Sequence, residues 1–184
     1  MNPKRLFRSR CGGQAMVEFT FVGIPMIFVL ISVFEISRGM WMYHTLAHSV
    51  RDGVRYASVH GYNCTNNGNT CAVTMRQVAA VIRDAAIGLD PTKTTLDFYT
   101  FPTTTATPTK TQTGSQCTLD TTTNPCSTTN TFPPPACNTP RACQVEIDIK
   151  TPFNSALAML WPGAKPVSFT SGTLGATSVD AVQY

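Results

Sequence analysis

Between Glu18 and Glu35 the chain runs for 16 residues, Phe19 to Phe34 (FTFVGIPMIFVLISVF), without a charged side chain. At about 1.5 Å of rise per residue this stretch spans roughly 24 Å as a helix. A bilayer's hydrocarbon core is about 30 Å thick. The run therefore reads as a membrane span that is short unless Ala15–Glu18 is drawn in or the bilayer thins around its ends. Drawing in those four residues brings a carboxylate, Glu18, to the membrane edge. A cleaved secretory signal would also begin with basic residues and an apolar run, but it needs a small-residue cleavage site after that run. Here the run passes into FEISRGMWMYHTLAH, with no such site, and Cys11 follows Arg-Ser-Arg rather than apolar residues, so it is no lipobox cysteine. A retained anchor is expected.

The charge distribution supports this reading and sets an orientation. Lys4, Arg5, Arg8 and Arg10 precede the span with no acid among them; removing these four from the 14 basic residues leaves ten against ten acids. The net charge of +4 is thus a local device at one end and not the footprint of a nucleic-acid-binding surface, so no nucleic acid is expected as a partner. Basic residues after the span (Arg38, Arg51, Arg55) are mixed with Glu35 and Asp52. By the positive-inside rule the leader stays cytoplasmic and the remainder is exported. Only 13% of residues are charged, against roughly 25% in ordinary soluble domains, as a chain divided between membrane and uncharged polar stretches would show.

Cys11 falls on the cytoplasmic side, while Cys64, Cys71, Cys117, Cys126, Cys137 and Cys143 fall on the exported side. Six cysteines in an oxidising compartment imply disulfides. Sequence alone leaves the pairing open. Local pairs (64 with 71, 117 with 126, 137 with 143) close the shortest loops. The gaps are longer than zinc-site spacing.

After the span the helix is expected to continue to about His60, with Leu46, Val50, Val54 and Ala57 on one face and Arg51, Asp52 and Arg55 toward the other. Gly61 is its expected stop. A turn-rich loop from Cys64 to Cys71 follows. A second amphipathic helix is predicted over 75–89, with Thr74 as N-cap and Gly88 near its end. Thr94–Phe101 favours a strand, with Leu96, Phe98 and Thr100 sharing a face. Thr100–Thr131 holds 15 threonines and two charges in 32 residues, a composition that builds no core alone; it reads as a long loop held by cysteines. Gln144–Lys150 alternates strictly, Val145, Ile147 and Ile149 facing one way, Glu146 and Asp148 the other. A helical turn at 154–160, a strand at 167–174 and a last strand at 176–184 complete the reading. The fold class is α+β: a long N-terminal transmembrane helix, a second helix and a small antiparallel sheet. The expected divisions are a basic cytoplasmic leader (1–13), a transmembrane and extended amphipathic helix (14–61) and an exported domain (62–184) with a Thr/Pro/Cys-rich loop at 100–143.

The functional signal lies in GGQAMVEF, Gly12–Phe19. An acid costs roughly 2.5–3.5 kcal/mol at a bilayer centre and less near its edge, so an acid heading an apolar helix has a function or a partner. A basic leader, Gly13, then Gln14-Ala15-Met16-Val17-Glu18-Phe19 resembles the processing site of type IV pilins and pseudopilins. The longer stretch AMVEFTFVGIPMIFVLISVFEISRGMW, followed by VRDGVRYA at 50–57, resembles the TadE-like family of the tight-adherence (Flp) pilus system. The shared positions are Glu18, Phe19, Pro25, Arg51, Gly53, Arg55, Tyr56 and Ala57. The resemblance implies a prepilin peptidase that cuts after Gly13, leaving Gln14 as the new N-terminus, with its amine one helical turn from the Glu18 carboxylate. It further implies other pilus-assembly proteins and pilins as partners, besides membrane lipid. The implied location is the inner membrane, single-pass, with the C-terminal domain periplasmic. A membrane-anchored periplasmic binding or adhesion module, its threonine-rich loop serving as contact surface or glycan carrier, is the alternative.

Catalysis is not expected. His44 and His48 stand four apart but lack an H-E-x-x-H pattern and a third ligand. There is no nucleotide-binding loop, no G-x-S-x-G and no cysteine beside an evident histidine base. Glu146 and Asp148 read as polar positions on an exposed sheet face. No cofactor and no metal is called for.

Overall fold

A computed structural model of the chain describes residues 12–60, 65–66, 69–103, 109–137, 143–153 and 173–183. The described chain forms two compact units, Met1–Arg38 and Gly39–Tyr184. The basic leader up to residue 11, Gly61, Cys64, the expected helical turn at 154–160 and the start of the expected strand at 167–174 lie outside the described residues.

Helix α1, Gly12–Val59, runs unbroken through Pro25. Proline removes one backbone donor, yet the helix continues on either side of it. In the first unit α1 carries almost no buried surface: Phe19, Phe21, Ile24, Phe28 and Leu30 are all exposed. Its hydroxyls fold back onto the helix. Thr20 Oγ1 donates to the Met16 and Val17 carbonyls (2.7 and 2.9 Å), and Ser32 and Ser37 donate to Phe28 and Val33 (both 2.8 Å). Among the described residues of this unit, these bonds leave no hydroxyl without an acceptor on the helix.

In the second unit α1 supplies Leu46, Val50, Val54 and Ala57 to the core, the face that the sequence spacing predicts. Helix α2 is Met75–Ala85. Thr74 caps it through a reciprocal capping box, accepting from the Gln77 amide while the Gln77 side chain accepts from the Thr74 amide (2.7 Å). The next two amides of its first turn, on Met75 and Arg76, donate to the Asn130 and Ser127 carbonyls (both 3.0 Å). The threonine-rich segment thus satisfies donors that any helix start leaves open. The helix ends four residues before the predicted limit: the chain turns at Ala86, and Gly88 adopts φ +86°, a left-handed conformation that glycine reaches without Cβ strain.

The short strands β1 (Thr65–Asn66) and β2 (Asn69–Thr70) pair as an antiparallel hairpin. The main sheet comprises β3 (Thr95–Pro102), β4 (Thr111–Gln112), β5 (Cys117–Thr118), β6 (Cys143–Pro152) and β7 (Thr173–Ala181). The order is β4-β3-β6-β7, with β5 also on β3, and every pair is antiparallel. Central β6 pairs along its length with β3 (Phe98 opposite Ile147) and with β7 (Ile147 opposite Ser178). Val145, Ile147 and Ile149 are wholly buried with Leu96 and Phe98, each side chain contributing about 1.5–3 kcal/mol of burial. The predicted alternation in β6 and the shared face of β3 are therefore observed, and the α+β class holds. One feature at the C-terminal side differs: β7 is a single strand through Gly175, where the sequence reading divides it at that residue.

The threonine-rich segment is largely irregular among its described residues, but it supplies β4 and β5 and buries Leu119 and Phe132. Phe132 sets its ring edge-on against Phe98, 4.8 Å between centroids. Cys117–Cys126 and Cys137–Cys143 are disulfide-bonded, two of the three local pairs expected. Cys71 is also disulfide-bonded. The end of β7 and the residues after it join α1 and β6: Ser58 Oγ donates to Asp180 Oδ2 (3.2 Å), the Gln183 amide to the Ser58 carbonyl (3.0 Å) and the Val182 amide to the Cys143 carbonyl of β6 (3.1 Å).

Candidate functional site

Gly13 lies in the first turn of α1, and a Cβ built there meets nothing within 4 Å. Gln14, Ala15, Met16, Val17, Glu18 and Phe19 are exposed around it. Among the described residues no hydrogen bond or ion pair engages Glu18. The structure thus presents the Gly13–Gln14 peptide bond and the Glu18 carboxylate on one open helical segment, a turn apart.

The Val50–Ala57 segment divides between two jobs. Gly53, Val54 and Ala57 are buried, and Ile82 of α2 seats against the bare backbone at Gly53. Any side chain there would strike Ile82, so glycine permits the contact, and its weak helix propensity is the accompanying cost. Tyr56 is half-buried and lies against His60, ring centroids 4.4 Å apart. Arg51 and Arg55 point away from this packing and are exposed, one turn apart. No ion pair involves either among the described residues. Of the two histidines with i, i+4 spacing, His48 pairs with Asp52 (Nδ1 to Oδ2, 3.1 Å), and His44 sets its ring against Tyr43. Among the described residues no group of three or more His, Cys, Asp or Glu is arranged to hold a metal ion.

The outer face of the sheet departs from the sequence reading. Glu146 and Asp148 are not solvated positions. Lys110, just before β4, donates to Glu146 Oε1 and lies 3.4 Å from Asp148 Oδ2, its Nζ 3.8 Å over the Tyr99 ring. Thr177 Oγ1 donates to Asp148 Oδ1 (2.5 Å). Asp97, opposite Asp148 in the register, is buried and accepts from Gln116 (3.0 Å), Lys150 (3.3 Å) and Gln112 (3.4 Å). Burial opposes the Lys110 charge, but the hydrogen bond to Glu146 and the fields of Asp148 and Glu146 outweigh it, and its pKa is raised. Three carboxylates and two lysines close on one another here. The cluster fastens the threonine-rich segment to the sheet, and the long sequence separation of Lys110 from its partners hides it from pattern reading.

Among the described residues one helix is long and apolar enough to cross a membrane, and it leads into a disulfide-bonded α+β unit. That combination defines the class of a small protein with an N-terminal apolar helix. Residues 13–55 match the family model described as TadE-like protein, which runs from the Gly13 peptide bond through the arginine-flanked glycine. Nothing matches in comparisons with curated proteins or with solved structures.

Proposed function

We propose that this protein is a membrane-anchored, pseudopilin-like component of tight-adherence (Flp) pilus assembly, acting through helix packing and subunit contacts and not through catalysis. The observation that carries the reading is the course of the TadE-like stretch along α1. It begins at an open glycine-glutamate segment, continues as unpacked apolar helix and ends where glycine seats against α2. A prepilin peptidase cuts after Gly13, and the new amine at Gln14 neutralises Glu18 in the same or a neighbouring subunit, offsetting the cost of a carboxylate at the membrane edge. The protein spans the inner membrane once, leader inside and disulfide-bonded unit in the periplasm, in keeping with the basic leader and the paired cysteines. Arg51 and Arg55 are the residues available to other pilus-assembly proteins or pilins.

The test is expression of the full chain with and without a prepilin peptidase from a tight-adherence system, followed by mass spectrometry of the N-terminus. A mature chain starting at Gln14, lost on omitting the peptidase, is expected. An intact leader under both conditions removes the pseudopilin reading.

A further inference from the structure

The lipid-facing surface of α1 does not end at Glu35, where the uncharged run ends. We infer that it extends to Tyr43, with Trp41 and Tyr43 anchored in the headgroup region of the outer leaflet and the Glu35–Arg38 pair carried inside that leaflet; this rests on α1 being the membrane span proposed above. Past Glu35 the helix still exposes large apolar side chains: Ile36 is 64% exposed, Met40 53%, Trp41 67% and Tyr43 46%. Burial begins only at Leu46. At about 100° of turn per residue, Ile36, Met40 and Tyr43 cluster within about 60° of one another, whereas Trp41 lies on the opposite side, beside Phe34. A partner helix covers one stripe. Phe153 covers only the stripe through Gly39; apolar side chains exposed over the rest of the circumference exceed what one further partner helix covers, and the chemistry that meets this is lipid.

Length agrees. Phe19–Tyr43 is 25 residues, roughly 37 Å of helix. That exceeds the hydrocarbon core of about 30 Å and fits within the 40–45 Å of core plus headgroups. The shortfall of the uncharged run disappears without thinning the bilayer. Tryptophan and tyrosine then stand at the level where their amphipathic rings are enriched. The two charges left inside are paired: Arg38 Nη1 lies 3.8 Å from Glu35 Oε1, and the Glu35 side chain is mostly covered. A neutralised pair is far cheaper in lipid than either charge alone.

The chain has two tryptophans, Trp41 and Trp161. The full chain carrying Trp161→Phe is reconstituted in phosphatidylcholine/phosphatidylglycerol vesicles with a nitroxide or bromine quencher either near the ester carbonyl or near the acyl-chain end. A version that also carries Trp41→Phe supplies the blank. Flotation of the vesicles reads membrane insertion separately. The expected result is flotation with loss of about half or more of Trp41 emission to the carbonyl-level quencher, less to the chain-end quencher, and little to aqueous iodide. Flotation with Trp41 open to iodide overturns the inference and leaves the anchor standing. So does flotation with Trp41 shielded from every quencher, which means a protein partner covers it, or with strongest quenching at the chain end. Failure to float removes both readings.

Discussion

A Cβ built on Gly53 of α1 would lie 2.6 Å from Cδ1 of Ile82 in α2, and closer still to Cγ1. Ile82 is wholly buried, and both Cγ1 and Cδ1 would be struck while its Cβ stays at an ordinary 3.8 Å, so relief requires the side chain to swing into a core that is already packed. At Gly39, on the same helix, a Cβ would sit 3.6 Å from the Phe153 ring, an ordinary contact.

The same substitution therefore has opposite effects at the two sites. Gly39→Ala is expected to stabilise the fold by up to about 1 kcal/mol through helix propensity. Gly53→Ala is expected to destabilise by about 1–3 kcal/mol through overpacking, and Ile82→Ala in the same chain should recover part of that loss. Chemical unfolding of the detergent-solubilised full chain, followed by circular dichroism, measures both. Equal effects at the two glycines would show that packing at Gly53 is not the controlling contact.

Arg51 and Arg55 are exposed and take no part in the core. The double change Arg51→Ala/Arg55→Ala should leave the unfolding midpoint unchanged within about 0.5 kcal/mol and sharply reduce crosslinking of the protein to other pilus-assembly components in cells. Retained crosslinking would assign these arginines to solvation of the helix alone.

The Cys117–Cys126 bridge closes a loop of nine residues' separation and anchors β5 and the segment that satisfies the α2 N-terminus. Replacing both cysteines with serine should cost about 2–3 kcal/mol, the loop-closure expectation for this length. It should also speed amide exchange at Met75 and Arg76, whose acceptors lie just beyond Cys126. A global loss without that local signature would mean the bridge acts on the unfolded chain only.

Lys110 fastens β4 over the outer sheet face, and the Thr113 amide there donates to the Phe98 carbonyl (2.8 Å). Its pKa is raised in the fold, so its contribution is fully present below the ordinary lysine value, about 10.4, and is lost as pH rises through the higher folded value. Lys110→Gln should increase exchange at Thr113 at neutral pH, and wild type should approach that behaviour only in strong alkali. The core amides of β6 should stay protected in both.

Asp120 behaves in the opposite sense. Hydrogen bonds from the Thr122 hydroxyl (2.5 Å) and the Thr123 amide (2.7 Å) hold its carboxyl far below the usual range. The turn at 120–123 is thus supported above about pH 3.9 and loosens as pH falls toward the depressed folded value. Asp120→Asn should flatten the acid limb of the exchange profile at Thr123. An unchanged profile would place the support elsewhere.

Much of the fold is legible in the sequence because it follows from periodicity. Val145, Ile147 and Ile149 alternate as a half-buried strand must, and Leu46, Val50, Val54 and Ala57 recur as a helix face must. The α2 boundary misleads because Leu89 keeps the helical spacing and packs against the core from a turn, after Ala86 and Gly88 have already ended the helix. The threonine-rich segment has no side-chain period to read. What orders its described part is backbone bonding to α2 and β3, the Lys110 ion cluster and the disulfides; of these only the cysteines are visible in the sequence. The reason for glycine at position 53 required the partner Ile82, 29 residues further on.

The seam between α1 and β7 joins Ser58 to Asp180 across 122 residues of sequence. Strand β6 likewise waits for β7 to complete its second edge. In the orientation proposed above, with the chain delivered through a membrane from its anchored end, residues 173–183 arrive after every other element of the sheet. Until they do, β6 offers an unpaired edge, and such edges invite pairing with other chains. In that orientation, completion of the sheet is timed by the passage of one strand.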